Sequence, residues 1–156
     1  MELIVSLALF SIAVIVVLGL LSMGITAQRK VLALQNVQEN ARFFLEFIAK
    51  EVRMGVISNS SASTLDIINQ AEEGIRYSFI NGNIERVTIP GNQGGPINST
   101  DVIVSGTFYT AGIGTADNLE PKVTISLSVQ GSGTKIEEQA RIDLQTTLSQ
   151  RTLDLP

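Results

Sequence analysis

The chain has 156 residues, a formal net charge of −4, no cysteine and no histidine. That composition excludes disulfides, thiolate nucleophiles and imidazole bases, removes nearly all zinc chemistry, and offers no basic stripe for nucleic acid. The absence of disulfides leaves the compartment open, since a domain can live outside the cell without them.

From Leu3 to Gln28 no residue is charged, and only Ser6, Ser11, Ser22, Thr26 and Gln28 are polar. A spanning helix needs about 20 predominantly apolar residues, so this run meets the requirement. It is apolar on every face, as a helix in lipid must be. Gly19 and Gly24 lie within it and are candidate points of close helix–helix approach, or ordinary glycines of a membrane segment.

The pattern then changes without a break. Val31, Leu34, Val37, Ala41, Phe44, Ile48 and Val52 recur in steps of three and four, one stripe of a helix expected to pack on a sheet. Arg29, Lys30, Glu39, Arg42, Glu46, Lys50, Glu51 and Arg53 lie between them, with Glu46 and Lys50 in the favourable i,i+4 order. No proline or glycine interrupts Ile25–Met54, and Gly55 is placed as the stop. The prediction is one helix from near Met1 to about Met54, roughly 80 Å long. It divides into an apolar half over 1–28 and an amphipathic half over 29–55.

Residues 56–63, with SNSSAS from Ser58 to Ser63, read as a polar linker. Beyond it, over 64–156, the apolar period becomes two. Thr64–Ile68 is a short strand, and Ile75–Ile80 and Ile84–Ile89 flank Asn81-Gly82-Asn83, a glycine-bearing turn, as a hairpin. Pro90–Thr100 reads as a loop, and its GNQGG lacks the Lys-Ser/Thr that a P-loop requires. Val102–Ala111 and Val123–Val129 are strands, the second cleanly alternating. Ile136–Leu148 has helical propensity, but the Gly131-Ser132-Gly133 turn before it favours a returning strand. The expected fold class is α+β: a long N-terminal helix packed on a small antiparallel sheet.

MELIVSLALFSIAVIVVLGLL followed by QENARFFLEFIAKEVRMG resembles the N-terminal region of type IV pilins and type II secretion pseudopilins, and within them the minor, J- or W-type subunits. The likeness covers about the first 55 residues; the β domain matches only in kind. It implies a structural subunit, not an enzyme, that assembles through its helix into a pilus or pseudopilus. It further implies a short basic leader, cleaved by a prepilin peptidase, and methylation of the new first residue. Glu2 maps onto the family's glutamate, which is thought to pair with the N-terminal amine of a neighbouring subunit. The family has phenylalanine and three further residues where Met1 stands here. The implied partners are other subunits, membrane lipid, and an assembly platform with a separate ATPase, without nucleic acid. The resemblance places the β domain outside the cytoplasm, at the cell surface or in the periplasm. Arg29 and Lys30 after the apolar run would by themselves put it inside.

No constellation of residues calls for catalysis, and no cofactor is expected. Asp117, Asn118 and Glu120 share one loop and are weak calcium candidates without the ordered spacing of a calcium loop. Tyr77, Phe79, Phe108 and Tyr109 read as sheet residues, not as stacking platforms for bases. The rival functional reading is a bitopic membrane adaptor or receptor whose β domain binds a ligand or partner protein.

Overall fold

A computed structural model describes residues 1–113, 120–135 and 139–151. A helix, α1, runs from Glu2 to Met54, 53 residues without interruption. It ends at Gly55, whose N–H donates to the Glu51 carbonyl at 2.7 Å. Gly55 does not take the left-handed cap conformation; it is extended, and the chain passes straight into a strand. Glycine is required there for space. A Cβ would lie 2.6 Å from Ile67 Cγ2 and from the Ile68 carbonyl oxygen.

Five strands follow as an antiparallel sheet in chain order: β1 (Val56–Ser60), β2 (Thr64–Ile68), β3 (Gly74–Ile80), β4 (Asn83–Ile89) and β5 (Gly94–Pro96). The segment expected as a linker therefore belongs to the sheet as far as Ser60. Its polar composition is compatible with β1 because β1 is an edge strand, where backbone bonds to β2 hold it and Ile57 alone is buried. The β3–β4 hairpin turns through Asn81 and Gly82, both at positive φ, the two-residue geometry that suits the twist of the flanking strands. The glycines of β5 suggest a loop, but the segment forms a three-residue edge strand. Gly94, at φ 144°, lets its backbone approach Arg86.

The second sheet has three antiparallel strands, β6 (Val102–Ala111), β7 (Lys122–Gly131) and β8 (Arg141–Ser149). The returning strand after the glycine turn is thus present as β8, beginning at Arg141; residues 136–138 lie outside the described residues. In place of the single sheet expected from the sequence there are two. They join where the free edge of β6 donates from Val104 N to the Gly82 carbonyl at 2.7 Å and from Phe108 N to the Ala62 carbonyl at 2.9 Å. Two turns of the first sheet thus satisfy backbone donors that an edge strand would leave unpaired. Phe79 stacks on Phe108 at 4.7 Å between centroids, over Gly106, where a Cβ would be 2.7 Å from the Phe79 ring. Asn98 fastens the loop between the sheets. Its oxygen accepts from Ile84 N, and its amide nitrogen donates to Asn83 Oδ1, Ser99 O and Val102 O.

Candidate functional site

The fold's distinguishing region is α1 itself, and its two halves have opposite environments. From Glu2 to Gln28 every residue is exposed, and the apolar window has a mean hydropathy of 3.0 with none of it buried. Length and composition make this helix capable of crossing a membrane. Beyond Asn36 the same helix is clasped by the domain: Val37, Ala41, Phe44, Ile48 and Val52 are each at most 1% exposed. Each larger side chain among them contributes about 1.5–3 kcal/mol by leaving water.

The other two members of the expected stripe do not reach the sheets. Val31 is 54% and Leu34 39% exposed. The helix outruns the domain, so the apolar stripe continues past the point where strands can cover it. Between Gln28 and Asn36 lies about 12 Å of helix that neither the apolar span nor the core accounts for.

Glu2 sits in the first turn of α1, where the helix dipole favours a carboxylate. It makes no ion pair among the described residues. Among the described residues, a Cβ added at Gly19 or Gly24 would meet nothing within 4 Å. Glu120 is exposed before β7, while Asp117 and Asn118 lie outside the described residues. Among the described residues no group of three or more acidic, His or Cys side chains could hold a metal ion.

The helix–domain joint is locked by a polar cluster that sequence reasoning missed. Glu51, one residue before Val52 of the buried stripe, accepts from Tyr77 Oη of β3 at 2.5 Å. Its other oxygen takes Arg86 Nη2 and Nε of β4 at 2.8 and 3.2 Å. The Arg86 guanidinium also lies 5.7 Å from the Phe47 ring centroid. Burial foremost, and then the Glu51 carboxylate, push the Tyr77 hydroxyl far above its ordinary value. Tyr77 and Arg86 are directly paired in the β3–β4 register, which the two-residue Asn81-Gly82 turn sets; the three-residue turn expected from the sequence would instead oppose Tyr77 to Val87.

A second contact ties helix to loop. Asn40 Oδ1 accepts from Ser99 N at 3.2 Å, and its amide donates to Asn36. Asp66 and Arg76, opposed across β2 and β3, form a bidentate pair at 2.7 and 2.8 Å. Tyr77 is wholly buried, and Phe79 and Phe108 stack in the core. Tyr109 is 61% exposed on the outer face of the second sheet.

In general shape the chain is pilin-like: one long apolar N-terminal helix carried on antiparallel sheets. No protein-family model, no curated protein and no solved structure matches it.

Proposed function

We propose that this chain is a structural subunit of a type IV pilus or type II secretion pseudopilus, of the minor kind, anchored in a membrane before assembly. The observation that carries this reading is the division of one unbroken helix. Its apolar half projects free of the domain, while its second half is the domain's spine. A rigid rod of this kind transmits the position of the apolar segment to the β domain without a hinge. Lipid can surround the apolar half in the membrane, and the same surface can pack on other helices when subunits leave it. The motifs around Glu2 and Gln38–Arg42 support the family assignment. In the assembled state the Glu2 carboxylate would sit among apolar helices, where a cationic partner such as a neighbouring N-terminal amine offsets its desolvation. The β domain then faces away from the cytoplasm, and its role is structural and not catalytic.

The test is mass spectrometry of the native N-terminus, on protein recovered from membranes and from sheared surface material. A processed, methylated residue ahead of Glu2 in a filament fraction is the expected result. An unprocessed Met1 found only in membranes would overturn the proposal and leave a bitopic adaptor as the reading.

A further inference from the structure

An open cleft of about 350 Å³ lies beside α1 along the stretch from Arg29 to Asn36, within the range of about 300–1,000 Å³ that small-ligand sites occupy. Its helix wall carries Arg29, Leu32, Ala33 and Asn36, and the facing wall is made by the turns that hold Asp101 and Ser132. The fold itself fixes those turns. Ser132 donates from N to the Asp101 carbonyl at 2.9 Å and from Oγ to the Thr100 carbonyl at 3.1 Å. Ser99 Oγ accepts from Asp101 N at 3.3 Å, and Ser99 N is the group that Asn40 of the helix binds. The cleft thus presents a guanidinium on one side and a carboxylate on the other. Both are exposed, and among the described residues neither is in an ion pair, with the other or with a third group. Arg29 is the first charge after the run from Leu3 to Gln28, which at about 1.5 Å per residue is about 39 Å long. A bilayer has about 30 Å of hydrocarbon and about 40–45 Å with its headgroups, so a helix that spans through this run sets Arg29 in the headgroup layer.

We propose that this cleft seats the headgroup of one ethanolamine phospholipid, with the phosphate at Arg29 and the ammonium at Asp101. A guanidinium meets a phosphate with paired N–H donors. A primary ammonium brings three N–H donors to a carboxylate, and the quaternary nitrogen of choline brings none. An anionic headgroup such as that of phosphatidylglycerol satisfies Arg29 but carries no cation for Asp101, which repels it. The order of the charges also fits. In the lipid the phosphate lies next to the glycerol and the ammonium at the tip; in the chain Arg29 borders the apolar run, while Asp101 belongs to the domain beyond it. Leu32 and Ala33 supply an apolar wall for the methylenes between the two charges. The proposal rests on the membrane-anchored part of the reading above and not on filament assembly, and it applies to whichever leaflet the domain faces.

The test uses the full chain, inserted in liposomes of phosphatidylethanolamine, phosphatidylcholine and phosphatidylglycerol in equal amounts with identical acyl chains. After release into mild detergent, native mass spectrometry counts the lipids that stay bound. The expected result is one phosphatidylethanolamine per chain, retained about fivefold over phosphatidylcholine, the worth of one good exposed charge pair. Asp101→Asn should level the two lipids, Asp101→Glu should keep the preference, and Arg29→Gln should lose the retained lipid. Lys30→Gln, next in the chain but outside the lining of the cleft, should keep the preference for ethanolamine over choline. Equal retention of the two by the inserted parent would overturn the headgroup seat and leave the membrane anchor standing. A preference for phosphatidylglycerol that Asp101→Asn does not change would overturn it in favour of a general attraction of Arg29 and Lys30 to an anionic surface. Displacement of the lipid by equimolar glycerophosphoethanolamine would overturn it in favour of a soluble ligand. A chain that alkaline carbonate strips from the liposomes would overturn the anchor itself, and the seat with it.

Discussion

Replacing Glu51 by glutamine removes one charge from the joint between α1 and the first sheet while preserving size. The carboxylate accepts from Tyr77 at 2.5 Å and from Arg86 at 2.8 and 3.2 Å, with the Arg86 and Glu51 side chains 25% and 16% exposed. Breaking a fully buried pair costs about 3–5 kcal/mol. Arg86 retains some water, and the introduced amide can still accept one hydrogen bond, so the expected loss is about 2–3 kcal/mol. Tyr77→Phe deletes a single hydroxyl and leaves the ion pair, for a loss of about 1 kcal/mol. The double variant should be less damaged than the sum, by about 1 kcal/mol, because the Tyr77 bond is already weakened when the carboxylate is gone. Scanning calorimetry of the full chain in detergent reads this out. For a domain of about 100 residues, 2–3 kcal/mol lowers the midpoint by about 10–20 °C. Additive effects, or a Glu51→Gln variant within about 0.5 kcal/mol of the parent, would refute the claim that this cluster fastens the helix to the sheet.

The same cluster predicts a pH dependence. Tyr77 is held above the ordinary value of 10.0 by burial and by Glu51, so the folded state keeps a proton that the unfolded state loses. Its contribution is complete below about pH 10 and is lost above it, by up to about 1.4 kcal/mol per unit, and the difference between parent and Tyr77→Phe in alkaline unfolding isolates it. Gly106→Ala places a Cβ 2.6 Å from the Ser126 carbonyl and 2.7 Å from Phe79, and should lose about 1–3 kcal/mol in the same calorimetry. Gly95→Ala, with nothing within 4 Å, should stay within about 0.5 kcal/mol. Phe44→Ala, at 0% exposure, should lose about 3–5 kcal/mol, while Val31→Ser stays within about 0.5 kcal/mol. Equal effects at positions 31 and 44 would mean that the domain grips the helix farther toward its N-terminus than described.

The sequence by itself determined the long helix, its apolar half and the face that its second half buries. These are local or periodic properties: an uncharged run from Leu3 to Gln28, and apolar residues at helical spacing from Val37 to Val52. It also determined the β3–β4 hairpin, though not its register: Asn81-Gly82-Asn83 reads as the turn, whereas Asn83 pairs with Ile80 and leaves a two-residue turn. Tertiary structure decided where the stripe stops being core. Val31 and Leu34 continue the period of Val37, and only the reach of the strands leaves them exposed. It decided that Ser58–Ser60 belong to an edge strand, since backbone pairing with β2 demands no apolar side chain. It split the expected single sheet in two, through turn carbonyls of Gly82 and Ala62 that meet the edge of β6 from far away in sequence. The Glu51–Tyr77–Arg86 cluster belongs to the same class. Each of its members follows its own element's pattern, and nothing short of the packing of helix on sheet brings a carboxylate, a phenol and a guanidinium to one point.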